Sequence, residues 1–166
     1  NQAASSFFLP LDRVVHALGK IQQNVPVHRG SLLATFENEA YPRAVRLGLS
    51  EEAERSFRQA FPKRDGVLVI DRITPKGPLD GVAKAGDIVI SINGISINEF
   101  VQLEAILDEH VGQTIQFVFQ RAGRNQQHEV RVADLTAVTP ATLVMSCDAS
   151  FNDVSYQIAR HYNLPL

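Results

Sequence analysis

The chain is poor in the residues that build cross-links, membrane spans and strongly charged surfaces. Its 166 residues include one cysteine, Cys147, and no tryptophan. A single thiol excludes an intrachain disulfide and a thiolate cluster for zinc, so Cys147 is predicted to be a small packed residue. No apolar run approaches the roughly 18 residues that a membrane span requires. The 16 basic and 18 acidic residues are scattered and give a formal charge of -2, which argues against a nucleic-acid partner.

What the chain does have is an ordinary globular composition. Apolar residues make up 45% and charged residues 20%, enough for one soluble domain with flanking segments, or for one domain and part of a second. The chain begins with Asn1 and stops just after a helix-like stretch. We therefore expect it to be an excised piece of a longer protein.

The N-terminal part predicts a short strand and a helix ahead of the first boundary. Residues 5–10 form an apolar stretch ended by proline. Val14, Leu18 and Ile21 then recur at i, i+4 and i+7, which predicts a helix of about three turns with Asp12 at its N-cap and one apolar face that needs a partner. Proline and glycine at positions 24–30 mark the boundary that follows.

Two short helices are expected before the central strands. Pro42 at a first helical position and Gly48 as a stop bracket the first of them. Ser50 caps the second helix, and the acidic residues of its first turn suit the helix dipole. Residues 67–70 then form a continuous apolar strand, which predicts that both of its faces are buried.

The clearest local pattern lies at residues 86–94. Their alternation predicts a strand with Ile88, Ile90 and Ile92 on one face. The strand closes on Asn-Gly, a pair typical of a tight turn because both residues tolerate positive φ. Upstream, residues 73–78 predict a turn that runs into a short helix. Downstream, Ser96 or Asn98 is expected to cap a helix that starts near Phe100, and alternating residues on either side of Ala122-Gly123 predict a hairpin ending at Val132.

The order of these elements resembles a PDZ domain. The segment GVLVIDRITPKGPLDGVAKAGDIVISING, residues 66–94, joins a buried strand, a Gly-Pro turn, a small-residue helix, Gly-Asp and Asn-Gly. Because an Arg-Gly-x-Leu strand at residues 29–32 comes first and the hairpin comes last, the arrangement is similar to HtrA-type, DegP-like serine proteases. The resemblance implies an α+β fold, a partly open antiparallel β-barrel or sandwich with capping helices and the HtrA-type strand order.

The flanking segments sharpen this resemblance. SSFFLPLDRVVHAL is similar to the end of a protease domain and its connecting helix, and DLTAVTP with ASFNDVSYQIAR is similar to the segment after the first PDZ domain of long HtrA-like proteases, a group with fungal nuclear pro-apoptotic members and plant Deg-type relatives. This implies a protease end and connecting helix at 1–27, a PDZ domain at 28–134, and a linker or the start of another domain at 135–166. It also implies a role in protein quality control, and a nuclear location if the chain follows the fungal members.

The resemblance implies peptide binding by strand addition, in which an extended peptide pairs with the edge of residues 32–36 beside the helix from Phe100. The predicted peptide-binding residues are Arg29, Gly30, Ser31, Leu32, Leu33, Ala34, Phe36, Phe100, Glu104 and Leu107. The expected partners are peptide or protein C-termini and the neighbouring protease domain, and the parent protein is expected to be a homo-oligomer. No cofactor and no membrane partner are predicted.

Some of these roles stay open at the level of sequence. Arg29 either adds charge for a carboxylate through water or forms a surface ion pair. Phe100 and Leu107 either face the groove or pack the fold, whereas Leu103 and Ile106 are expected in the core. Leu33 stands where related loops carry glycine, and its restricted φ and added bulk are expected to narrow or occlude the site.

The residues of the chain predict no catalytic centre. There is no Gly-x-Ser-Gly-Gly or Gly-x-Ser-x-Gly run to supply a nucleophile and an oxyanion hole. Asp153, Ser155 and His161 would lie on different faces of a helix. If the parent is a serine endopeptidase, its machinery lies outside this piece. No metal site is expected either, because the histidines lack metal-ligand spacing; they are His16, His28, His110, His128 and His161.

Three functions fit these features. The first is a regulatory peptide-binding module of an HtrA-like serine endopeptidase. The second is a structural clamp whose groove is closed, which fixes the geometry between neighbouring domains. The third is a scaffolding PDZ domain of a signalling protein, against which the protease-like N-terminal segment argues. The first two differ in whether the edge at residues 32–36 is open or covered by the chain's own segments.

Overall fold

The computed structural model describes residues 11–166 as a mixed α+β fold with antiparallel sheets. The helices are α1 (Asp12–Gln22), α2 (Tyr41–Leu47), α3 (Glu51–Ala60), α4 (Phe100–Glu109) and α5 (Tyr156–Tyr162). The strands are β1 (Gly30–Ser31), β2 (Ala34–Ala40), β3 (Gly66–Ile73), β4 (Ile88–Ile92), β5 (Ile95–Ser96), β6 (Thr114–Arg121), β7 (Arg124–Arg131), β8 (Ala133–Asp134), β9 (Val144–Ser146) and β10 (Ala149–Phe151). The fold class expected from the sequence is confirmed.

The main sheet has the strand order β2-β3-β4-β6-β7, and β5 pairs with β4 beside this path. The expected hairpin is present, because β6 and β7 pair in antiparallel register from Thr114 opposite Arg131 to Arg121 opposite Arg124. β1 and β8 form a separate ribbon, with Gly30 opposite Asp134. β9 and β10 form a third, short ribbon. The order of the main sheet leaves β2 at one end, which decides where the candidate site lies.

The continuous apolar strand β3 is buried on both faces, as its sequence predicts. Leu68 and Ile70 belong to the main core with Ile92, Phe117 and other side chains of the sheet and α4. Val67 and Val69 instead face a second cluster, in which α2 and α3 cover the sheet. Successive side chains of a strand point to opposite faces, so an unbroken apolar run requires a layer on each side.

The predicted ends of α2 and α3 are confirmed. Gly48 follows α2 in the left-handed conformation, with φ of +109°, and a β-carbon there would lie 2.9 Å from the Cα atom of Ala122. Glycine is therefore required both for the backbone and for the close approach. The Ser50 side chain accepts a hydrogen bond from the Ala53 amide at the start of α3.

Four local expectations are corrected or fall outside the described residues. Residues 78–85 form successive turns rather than a short helix, since Pro78 and Gly81, the latter at φ of +74°, interrupt regular helical bonding. Glu99 is the N-cap of α4 without a side-chain bond, whereas Asn98 is buried and donates to the Gly66 carbonyl at 2.7 Å. The cap of α1 is Leu11 rather than Asp12. The strand expected near residues 5–10 lies outside the described range.

The apolar face of α1 and the side chain of Cys147 face solvent in the described chain. On α1, Val14 and Ile21 are both 61% exposed, so the apolar face predicted from their spacing has no cover among residues 11–166. Cys147 is exposed at the turn between β9 and β10, which corrects the expectation that it is packed. No helix among these residues has the length and apolar character to cross a membrane.

Candidate functional site

A groove runs between the edge strand β2 and the helix α4. Its cavity has a volume of about 410 Å³. The predicted site residues on its wall are Arg29, Gly30, Ser31, Leu32, Ala34, Phe36, Phe100, Glu104 and Leu107. The fold therefore brings together all of the predicted residues except Leu33, although they come from two segments about 65 residues apart in the sequence.

The loop at one end of the groove is held against the last turn of α4. The Gly30 amide donates to an Asp108 carboxylate oxygen at 2.8 Å, and Arg29 Nε lies 3.3 Å from the same oxygen. A β-carbon at position 30 would lie 1.9 Å from the Leu107 carbonyl oxygen, so glycine is required for this approach. Of the two roles considered for Arg29, the structure shows the ion pair, with Asp108 as the partner.

Leu33 lies next to this loop but faces away from the groove. Its side chain is 5% exposed and lines a different cavity together with Lys76, Gly77 and Pro78. Its φ of +51° is the left-handed conformation in which leucine is strained, and its amide donates to Ser31 Oγ at 2.9 Å. The bulk of Leu33, which was expected to narrow or occlude the site, therefore lies outside the groove, because the positive φ turns the side chain to the other side of the loop.

The outer edge of β2 has no strand partner among residues 11–166, since β2 is terminal in the sheet. The Leu33 carbonyl accepts from the Thr74 amide at 3.0 Å on the inner side. Backbone groups of successive strand residues point to alternate edges, so the Ala34 carbonyl points outward. An added peptide strand would have to bond to this outward row.

The chain's own helix α5 reaches this row. The Tyr156 hydroxyl donates to the Ala34 carbonyl oxygen at 3.2 Å, and Tyr156, Gln157 and Arg160 stand on the wall of the groove. Tyr156 is 8% exposed and Ala159 is fully buried. Residues 32–36 are thus partly covered by the chain itself, and the cover comes from Tyr156 rather than from Leu33.

A second contact ties α5 to the sheet. The Arg72 guanidinium on β3 donates to the Arg160 carbonyl at 2.9 Å, which satisfies one of the carbonyls left without a helical partner in the last turn. Burial raises the pKa of Tyr156 above its ordinary value of 10.0, against the opposing influence of Arg160 and Ser31. The neutral phenol is therefore the form that fits the groove.

Side chains of α4 form the wall of the groove that faces β2. Phe100 is 42% exposed and Leu107 is 4% exposed, although both line the groove. Leu103 and Ile106 are buried in the main core, as expected from the sequence. Phe100 thus has apolar surface available to a ligand. Leu107 mainly packs in the core, and only a small part of its side chain reaches the groove.

His28 and Asp134, beside the β1 and β8 ribbon, form a close side-chain pair. His28 Nδ1 lies 3.0 Å from an Asp134 carboxylate oxygen, and the Asp134 carboxylate accepts from the Thr136 amide at 2.8 Å. Burial alone raises the pKa of Asp134, but the hydrogen bonds from Thr136 and the interaction with His28 outweigh it and hold the pKa below its ordinary value of 3.8. This carboxylate is therefore a stabilising part of the ribbon in its ionised form.

Ser155 and His161, two of the three residues considered as a possible triad, make local contacts within α5. Ser155 Oγ accepts from the Ile158 amide at 3.3 Å as the N-cap of α5. The His161 ring makes an edge contact with Tyr162, with ring centroids 4.6 Å apart. A hydroxyl that caps a helix is held by the backbone rather than by a general base.

Sequence reasoning missed the groove residues Leu135, Tyr156, Gln157 and Arg160. It also missed Asp108, which holds the loop at the end of the groove. Two signals for α5 were available, namely the capping serine and the i, i+3 spacing of Tyr156 and Ala159, which gives a short helix one buried face. Neither signal indicates which surface that face covers. The position of α5 is a long-range contact, with Tyr156 and Ala34 separated by 122 residues in the sequence.

The fold and the groove define the class of protein. The family model described as PDZ domain matches residues 30–132, and the chain belongs to this family. The matched range runs from β1 through β7 and includes β2, α4 and the loop between Arg29 and Leu33, so it contains most of the groove but not α5.

Relatives place the chain more narrowly. It is 46% identical over 165 residues to the pro-apoptotic serine protease NMA111 of Eremothecium gossypii, an alignment that covers 99% of this chain and 17% of that protein. The identity to the protein of the same name from Saccharomyces cerevisiae strain YJM789 is 43%, over 99% of this chain and 16% of that protein. The predicted relationship to HtrA-like serine proteases is confirmed, and the chain spans about 17% of the length of the first of these relatives.

A solved structure supports the fold. The HtrA-type protease AlgW, determined with a decapeptide, superposes with a TM-score of 0.55 at 19% sequence identity, covering 76% of this chain and 35% of that protein. At this level of identity the likeness concerns the fold alone.

Proposed function

We propose that this chain is the peptide-binding regulatory PDZ module of an HtrA-like serine endopeptidase. The observation that carries the proposal is the outer edge of β2, which has no strand partner in the described chain and faces a cavity walled by α4. An extended peptide or a protein C-terminus pairs with this edge, and its alternate side chains enter the groove.

The chemistry of the groove suits a peptide with an apolar end. Leu32, Leu107 and Phe100 line it. Because Leu32 and Leu107 are already buried, the apolar surface that a ligand can cover is mainly the ring of Phe100, at about 25 cal/mol per Å². Backbone amides of the loop from Ser31 to Leu33 are the proposed donors to a terminal carboxylate, and the Leu33 amide would have to give up its bond to Ser31 Oγ to take part. Arg29 is already paired with Asp108, so it positions the loop and adds positive charge at a distance.

A structural clamp is the second candidate, and the position of α5 favours it. The Tyr156 hydroxyl donates to the outward carbonyl of Ala34. If α5 stays in the groove, the segment after β8 is held in a fixed position on the domain. In this reading the domain fixes the geometry between its neighbours and binds no peptide. The two functions predict different results in a binding experiment.

The domain boundaries and the parent activity belong to the same proposal. The PDZ unit spans residues 28–134, closed by the β1 and β8 ribbon, with a connecting segment before it and the start of another unit after it. The parent protein is a serine endopeptidase whose protease domain is the neighbouring partner, as the names of the relatives support. A chain that lacks residues 140–166 is expected to unfold cooperatively on heating. If cooperative unfolding is lost in this shorter chain, the tail is part of the folding unit.

The test is a titration of the full chain with free-carboxylate decapeptides that end in an apolar residue, and with the same peptides amidated at the C-terminus. Phe100→Ala is expected to weaken binding about 5-fold to 30-fold, the equivalent of about 1–2 kcal/mol for an aromatic contact. Val101→Ala is the matched control, because Val101 is similarly exposed on α4 and is not on the groove wall. Peptide affinity that is equal for both variants, or absent from a folded chain at millimolar peptide, would refute the proposed site.

A further inference from the structure

We propose that α5 is an internal occupant of the groove which an incoming peptide must displace, so that the segment after the PDZ domain sets how much of the groove is available. The inference rests on the proposed peptide-binding function and adds a regulatory element to it. It is carried by the contact between Tyr156 and Ala34, by the burial of Tyr156 and Ala159, and by the bond between Arg72 and Arg160.

The first step concerns the backbone of β2. The Ala34 carbonyl points to the outer edge, where a peptide strand would place an amide donor. The Tyr156 hydroxyl already donates to this oxygen at 3.2 Å. A carbonyl oxygen can accept two hydrogen bonds, but the amide of an added strand would have to approach from the outer side, where the Tyr156 phenol already lies. Full strand pairing at this residue therefore requires α5 to move.

The second step concerns space. The ring of Tyr156 stands on the groove wall with Leu32, Phe100 and Leu107 on the same cavity, and 8% of the tyrosine remains exposed. A peptide side chain entering beside β2 would meet this ring. The groove is therefore shared between a ligand and α5 rather than divided between separate sites.

The third step concerns how firmly α5 is held. Apart from the two hydrogen bonds to Ala34 and Arg72, α5 has exposed side chains at Ile158 and Tyr162, which are 42% and 68% exposed. It is a helix of 7 residues, too short to be stable without packing. A short helix held mainly by the packing of Tyr156 and Ala159 and by a few hydrogen bonds, among them those to Ala34, Arg72 and Ser31, is suited to release.

The change in peptide affinity depends on the fraction of molecules in which α5 has left the groove. If α5 is docked in about nine molecules out of ten, the apparent affinity for a peptide is lowered about tenfold, because only the open fraction binds. Loss of the Tyr156 ring is expected to recover this factor. Loss of the hydroxyl alone, in Tyr156→Phe, is expected to recover a smaller part, about 2-fold to 5-fold, since one hydrogen bond is removed.

The experiment uses the full chain and fluorescein-labelled free-carboxylate decapeptides with an apolar last residue. Parent, Tyr156→Ala and Tyr156→Phe are compared with Tyr162→Ala, the matched control, because Tyr162 lies on the same helix and is exposed. Thermal melts check the fold of each variant. A synthetic peptide of residues 153–166 is added as a competitor, and hydrogen exchange reports on the amides of β2.

Binding that tightens about tenfold in Tyr156→Ala, less in Tyr156→Phe and not in Tyr162→Ala, with competition by the synthetic tail, supports the inference. Equal affinity in all four chains overturns it while the proposed peptide-binding function stands. If no chain binds the decapeptides although all melt cooperatively and the tail still protects β2 from exchange, both the displacement and the peptide-binding function are wrong, and the clamp replaces them. If Tyr156→Ala fails to fold, Tyr156→Phe decides: no gain in affinity and no competition by the tail overturn the inference.

Discussion

Two substitutions at Leu33 test whether its backbone is left-handed, because the order of their stabilities depends on that conformation. Its φ is +51° and its side chain is 5% exposed, so two opposing contributions meet at one residue. Replacing Leu33 by alanine removes buried side-chain atoms and keeps a β-carbon in the left-handed conformation. Replacing it by glycine removes the same burial and also the β-carbon that makes this conformation unfavourable.

The two contributions have different sizes. Truncation of a buried leucine costs about 2–5 kcal/mol, so both variants are expected to be less stable than the parent. The left-handed conformation costs an L-residue about 1–2 kcal/mol and costs glycine little. Leu33→Gly is therefore expected to be more stable than Leu33→Ala by about 1 kcal/mol, whereas glycine at an ordinary helix position is less stable than alanine by roughly 0.5–1 kcal/mol.

The assay is urea unfolding followed by far-ultraviolet circular dichroism, with the free energy of unfolding extrapolated to water. Arg55→Ala and Arg55→Gly in the middle of α3 are the control pair, since Arg55 is exposed on a regular helix and glycine is expected to be the less stable variant there. Leu33→Ala as stable as Leu33→Gly, or more stable, would show that the positive φ is not present in solution.

Three further predictions concern the core, the ribbon and catalysis. Ile92→Ala is expected to cost about 2–5 kcal/mol because Ile92 is fully buried, while Ile95→Ala, at a side chain that is 51% exposed, should cost under about 1 kcal/mol; equal costs in urea titrations would refute this. Because the folded pKa of Asp134 lies below its ordinary value of 3.8, its contribution to stability is fully present above that value and is lost as the pH falls through the lowered pKa. The difference in unfolding free energy between the parent and Asp134→Asn should therefore shrink on acidification, and a constant difference from pH 7 to pH 2 would contradict the assignment. The chain is expected not to hydrolyse casein, and casein hydrolysis abolished by Ser155→Ala would overturn this expectation.

The sequence by itself determined those parts of the fold whose cause is local. The apolar run of β3 follows from the period of a strand and from burial on both faces. The expectation that Ile88, Ile90 and Ile92 share one face is wrong, because the register shifts between Val89 and Ser91, which puts Ile92 in the main core and Ile88 in the second cluster. The hairpin closes at Ala122-Gly123, where both residues have positive φ. Gly48 and Ser50 end and begin helices through bonds within a few residues. Such patterns depend on neighbouring residues, so they are readable without the tertiary structure.

Two predictions made from local residue preferences were wrong, namely the short helix after Pro78 and the side-chain cap of α4. Residues 78–85 include small residues that a helix accepts, but Pro78 and Gly81 interrupt helical bonding, so the segment forms successive turns. Asn98 is a good N-cap residue, yet it is buried and bonded to the Gly66 carbonyl. In both cases a tertiary contact or a backbone interruption outweighed a preference that is worth about 1 kcal/mol.

The site shows the same division. The sequence placed Gly30, Ala34, Phe36 and Phe100 in one groove through resemblance to a family, and the sheet order brought them together. Only the tertiary structure decided that Leu33 turns away from the groove and that Tyr156 enters it. The first depends on a single backbone angle and the second on a contact across 122 residues of sequence. No periodic pattern encodes either of them, because a positive φ at leucine is not a local preference and the place of Tyr156 is settled only when α5 packs against the sheet.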